Sequence, residues 1–128
     1  FFIFGKVRLE NWKKIPGVEE LVRLINDTNV LIREGKVDSA RSNYVRMGEI
    51  YKVLPMKCRD YFFKELKRIH LAIDKKDVLN LIKEYEAAKN EFRKEDAAVL
   101  HDKMNAIYRK LPKKFQEKVY RRLVKREV

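Results

Sequence analysis

The chain repeats itself. Shifted by 57 residues, the stretch Leu24–Leu66 falls on Leu81–Leu123. The densest match is Met-x-x-Ile-Tyr-x-x-Leu-Pro-x-Lys, read once from Met47 to Lys57 and again from Met104 to Lys114. Leu24, Ile25, Glu34, Ala40 and Leu66 meet Leu81, Ile82, Glu91, Ala97 and Leu123 at the same offset. A period of this size is the mark of stacked helical units, because one such unit cannot bury its apolar face alone.

Hydrophobic spacing sets the helices within each period. Val18, Leu21, Ile25, Thr28 and Ile32 mark one face of a first helix, with Pro16-Gly17 before it and Gly35 as its C-terminal cap. Val37, Ala40, Tyr44, Met47, Ile50 and Leu54 mark a second. Pro55 disfavours helix at the residue before it and suits the start of a new one. The third helix then carries Cys58, Phe62, Leu66, Ile69 and Ile73. The polar run Asp74-Lys75-Lys76-Asp77 reads as a joint, with Asp74 or Asp77 as N-cap. Val78, Leu81, Ile82, Tyr85, Ala88 and Phe92 line the next helix; Ala97, Met104, Ile107 and Leu111 the one after. Pro112 opens the last, with Phe115, Val119 and Leu123. The expected fold is all-α: two tandem three-helix repeats, 18–73 and 75–127, forming a short α-solenoid or helical bundle. Helix should exceed about 70% of the chain, far above the usual third. Leu24, Ala40, Met47, Ile50, Leu66, Leu81, Ala97, Met104, Ile107 and Leu123 are the expected core.

Residues 1–17 stand outside this scheme as an arm or linker. The chain opens Phe-Phe-Ile-Phe without Met. That opening fits the tail of a membrane helix, an edge strand or a hydrophobic arm, and it lacks the length and basic start of a secretory signal. Trp12 is expected to lie on the first helix as a lid. The lone cysteine, Cys58, excludes an internal disulfide and fits a reducing, cytoplasmic setting, with a membrane tether before residue 1 kept open.

Gly35-x4-Ala40-x3-Tyr44, with Leu24 and Leu31 ahead of it, resembles a tetratricopeptide hairpin over about 30 residues. The resemblance implies a scaffold that takes peptides or partner proteins in a groove. The departures are specific. The closing proline of that family would fall near Lys52, whereas the chain has Pro55; Phe92 and His101 replace the turn glycine and the aromatic in the second unit. The period is 57 residues against about 34 in that family.

The net charge is +12 and unevenly placed. From Arg109 to Glu127 nine basic residues face two acidic ones, a net +7; from Lys52 to Arg68 six face two, a net +4. Both third helices are therefore basic. Lys114, Lys118, Arg121, Arg122 and Lys125 recur at helical spacing, continued in the first unit by Lys57, Lys64, Lys67 and Arg68. Such a stripe can track a phosphate backbone, rest on an anionic membrane or acidic protein, or simply solvate a helix. Phe63 and Tyr120 match across the repeat amid these cations, where they either pack between units or stack on a ligand. Tyr51 and Tyr108 also match and read as core with the hydroxyl at the edge.

His70 and His101 lack metal-ligand neighbours at ligand spacing, and Cys58 reads as a small hydrophobe. There is no Gly-rich phosphate loop and no nucleophile turn. The expectation is a non-enzymatic scaffold without metal or cofactor. Its partner is a protein or peptide, with nucleic acid or an anionic membrane as the alternative.

Overall fold

The computed structural model describes residues 12, 14–91 and 93–127, with the side chains of 124–127 outside the described set. The Phe-Phe-Ile-Phe opening, Phe92 and the Lys125 side chain thus lie outside the described residues. Five helices follow one another over residues 18–127: α1 (Val18–Arg33), α2 (Val37–Lys52), α3 (Met56–Asn90), α4 (Lys94–Tyr108) and α5 (Lys113–Glu127). The described residues are 85% helical and contain no strand.

Over residues 18–127 the sequence pattern gives six helices and the structure gives five. The joint expected at Asp74-Lys75-Lys76-Asp77 is interior to the 35-residue α3, so neither aspartate is an N-cap. Met56–Asn90 contains no Gly or Pro, and Lys, Glu and Asp are all tolerated inside a helix. What reads as a joint is a slip in the apolar stripe. Among the buried apolar residues Ile69 and Ile73 are followed by Val78, five positions on, where one stripe needs steps of three or four; Asp74, also buried, stands between them.

The connections obey local chemistry. Gly35 has φ +76°, the left-handed conformation that ends α1. The Lys36 N–H reaches the Leu31 carbonyl at 2.9 Å and the Gly35 N–H that of Ile32 at 3.0 Å, the paired bonds of a Schellman cap. Pro55 and Pro112 stand immediately before α3 and α5. Their carbonyls accept the first helical bonds, from Arg59 at 3.0 Å and Gln116 at 2.9 Å. A proline lacks a donor where none would be satisfied anyway.

These bonds recur 57 residues later. Lys36 to Leu31 becomes Arg93 to Ala88; Ala40 to Lys36 becomes Ala97 to Arg93. The tight turn Val53 to Ile50 and Leu54 to Tyr51 becomes Lys110 to Ile107 and Leu111 to Tyr108.

The chain divides into two compact units with the boundary between Ile73 and Asp74. In the first unit, α1 and α2 form an antiparallel hairpin. Gly17, at the start of α1, abuts Ile50 and Leu54 at the end of α2, and Glu20 bonds Arg46 at 3.0 Å. Leu21, Ile25, Met47, Phe62, Ile69 and Ile73 fill its core. Trp12 packs against this core, edge-on to Tyr61 of α3 at 5.1 Å and tilted over Phe62 at 6.3 Å. Thr28 is fully buried, and its hydroxyl donates to the Leu24 carbonyl at 2.6 Å, which satisfies the polar atom locally.

In the second unit Val78, Ile82, Ala97, Met104, Leu111 and Val119 are buried, each 57 residues from a buried residue of the first. Of the expected core, Leu24, Leu81, Ile107 and Leu123 are only half-buried. Leu24 and Leu81 sit one residue before buried Ile25 and Ile82. They are therefore turned about 100° from the centre of the stripe.

Candidate functional site

Helices α2 and α3 enclose a groove of about 350 Å³ in the first unit. Tyr44, Gly48 and Tyr51 form its α2 wall; Phe63, Leu66, Lys67 and His70 form its α3 wall. The α3 residues fall at i, i+3, i+4 and i+7, so one face of the helix presents them together. His70 stacks on Tyr44, ring centroids 5.1 Å apart and 18° from parallel, and closes one end. Gly48 leaves the α2 wall low: a Cβ built there meets nothing within 4 Å.

Helices α4 and α5 enclose a second groove of about 240 Å³ within the second unit. His101, Asn105, Tyr108, Tyr120 and Leu123 line it, each 57 residues beyond Tyr44, Gly48, Tyr51, Phe63 and Leu66. Val78, Met104 and Val119 complete it from the core side. The end that Tyr44 and His70 close with a ring stack in the first groove is polar in the second, where Asn105 Nδ2 lies 3.4 Å from His101 Nδ1.

The rings are open to solvent. Phe63 is 52% exposed and Tyr120 60% exposed, so neither is consumed in packing. Tyr51 and Tyr108 are half-buried and belong to the walls, combining the expected core contact with a solvent-facing edge.

Among the described residues neither groove is lined by a carboxylate. Lys67 holds its ammonium 5.9 Å from the Phe63 ring centroid. A shallower hollow beside the second groove shares Tyr108 and Tyr120 with it and adds Lys113, Arg121 and one acid, Glu117.

The expected basic stripe divides. Lys57, Lys64, Lys67, Lys114, Lys118 and Arg121 are exposed. Arg68 is engaged, bonded to Glu65 and at 2.9 Å to Asn29 of α1. Arg122 is half-buried, 3.7 Å from Glu86. Both arginines thus have partners within the fold.

The sequence singled out Phe63 and Tyr120 but not Tyr44, Gly48, His70 or Asn105. The signal was present: the 57-residue shift holds for the exposed neighbours of the core stripe as well as for the stripe itself. Cys58 is 1% exposed and its thiol is pushed up by burial, as suits a core position. Among the described residues no group of His, Cys, Asp and Glu is placed to hold a metal ion, and no helix is long and apolar enough to cross a membrane.

Comparison of the chain with protein-family models, with curated proteins and with solved structures gives no match.

Proposed function

We propose that this chain is a non-enzymatic interaction module of two tandem helical units that takes a protein or peptide segment into its helix-lined grooves. One observation carries the reading: an open aromatic groove occurs in each unit, lined by residues 57 positions apart. Matched core residues follow from shared packing. Matched exposed rings have no packing reason to recur, and a shared binding role supplies one. The matching loop bonds and the tetratricopeptide-like Gly35, Ala40 and Tyr44 support the tandem-unit reading. The larger period sets it apart from that family. The lone thiol of Cys58 suits a cytoplasmic setting.

The test is selection of a displayed random-peptide library against the intact chain, with Phe63→Glu/Tyr120→Glu as the counter-target. Enriched peptides should bind the wild type and lose binding to the double variant, whose melting curve should stay close to the wild type because both rings are exposed. Absence of enrichment, or equal binding to both proteins, would sink the proposal.

A second reading rests on Lys114, Lys118 and Arg121, exposed at helical spacing, with Lys57 and Lys64 in the first unit. That stripe could hold a polyanion. Retention on heparin or RNA would then fall steeply with salt and disappear in Lys118→Glu/Arg121→Glu, while Phe63→Glu leaves it intact.

A further inference from the structure

We propose that each unit docks its own ligand, and that both grooves take the same class: a short acidic segment presenting a large apolar side chain, so that one chain binds two. This rests on the interaction reading and goes beyond it in naming partner chemistry and stoichiometry.

Size comes first. At about 350 and 240 Å³ the grooves lie at or below the small end of small-molecule sites. Such a space suits one inserted side chain and its flanking backbone better than a cofactor. The guest is apolar at its tip: the first groove offers Phe63, Leu66 and Tyr51, the second Tyr120, Leu123 and Met104. Insertion would cover the exposed rings, at roughly 25 cal/mol per Å² of apolar surface removed from water.

Charge comes second. Among the described residues the lining holds no carboxylate, and the cations stand at the rims: Lys67 over Phe63, with Lys64 exposed beside it, and Lys113 and Arg121 beside Tyr120. Glu117 is the one acid in that neighbouring hollow. Acidic residues flanking the apolar tip would meet these cations, steered by a chain of net charge +12. A second copy of this chain is a poor occupant, since it carries the same +12. Single-stranded nucleic acid fits less well than an acidic peptide. Each groove is short and walled with aliphatic as well as aromatic groups, and among the described lining residues just one, Lys67, is a lysine or arginine. A strand binder needs a run of cations along the backbone path.

The probe is a synthetic peptide with Leu-Phe at its centre and Glu on both sides, titrated calorimetrically into the intact chain. A Lys-flanked counterpart and oligouridine serve as comparisons. Two Glu-flanked peptides should bind per wild-type chain, one per Phe63→Glu or Tyr120→Glu chain, and none per double variant. The Lys-flanked peptide should bind at least about tenfold more weakly. Each single variant keeps one working site, which controls for folding. One peptide per wild-type chain would overturn the two-site claim. Equal affinity for both peptides would overturn the acidic assignment. Oligouridine binding that disappears in the double variant would give the grooves to nucleic acid. If library-selected peptides bind through Phe63 and Tyr120 but the Glu-flanked probe does not, this inference falls and the interaction reading stands; if neither binds, both fall.

Discussion

Two glycines in the first unit obey opposite rules. Gly17 opens α1 at φ +92°, and a Cβ there would lie 2.8 Å from Ile50 Cγ2. Backbone and contact both refuse a side chain. Gly17→Ala should cost about 1–3 kcal/mol in denaturant unfolding, the range for a strained left-handed position next to packed core. Gly48 lies inside α2 with open space where its Cβ would be. Gly48→Ala should stabilise by about 0.5–1 kcal/mol, since glycine is a poor helix former. A loss instead would mean that the helix needs the extra freedom at the groove wall. Cys58 makes a third case. Burial raises its thiol above the ordinary value, so the folded chain holds that proton more tightly than the unfolded chain. Stability from this source is complete below the unfolded thiol's pKa, about 8.5, and is lost as pH rises through and beyond it. The stability gap between wild type and Cys58→Ala should therefore stay flat up to about pH 8 and then move in the variant's favour. A flat gap to about pH 10 would remove the thiol as the source.

Among the elements, α3 is the one whose extent the sequence concealed. Breakers are legible: Gly17, Gly35, Pro55 and Pro112 end or open helices because each forbids or requires a backbone conformation. The Asp74–Asp77 run forbids nothing. Its reading as a joint rested on polarity and on aspartate as an N-cap candidate, and a helix interior absorbs both residue types. The groove was half legible for a related reason. Periodicity finds residues that must be buried, and Phe63 and Tyr120 drew notice as ring neighbours of that stripe. Tyr44 and His70 belong to the site through a stack between two helices, which requires knowing that α2 and α3 run side by side. The continuity of α3 can be tested directly. Lys76→Pro should cost about 3 kcal/mol or more, because proline in a helix interior removes one bond and clashes with the preceding turn. A cost under about 1 kcal/mol would restore a joint at that place. Lys76 is half-buried and outside both grooves, so the substitution reports on the backbone.

At the scale of the whole molecule, the two units share a plan but not a quantity of core. Matched positions weaken from first to second: Phe62 becomes Val119, Val37 becomes Lys94, and Val18 becomes Lys75, whose ammonium rests 5.2 Å from the Phe115 ring centroid. Ile50 is 5% exposed, whereas its counterpart Ile107 is half-buried. Each lost methylene removes roughly 0.8 kcal/mol of burial, so the second unit should open at lower free energy than the first. Amide hydrogen exchange of the intact chain reads this region by region. Amides of α1 and α2 should exchange more slowly than those of α4 and α5, and protection along α3 should fall from its first half, around Phe62 and Ile69, toward Tyr85. Ile50→Ala should lower protection in the first unit by about 2–5 kcal/mol, and Ile107→Ala should cost less in the second. Equal protection across both units would mean that α3 couples them into one cooperative structure, in which a thin core in one half is supported by the other. A graded profile would leave the second groove the more adaptable of the two, since its walls belong to the unit that opens first.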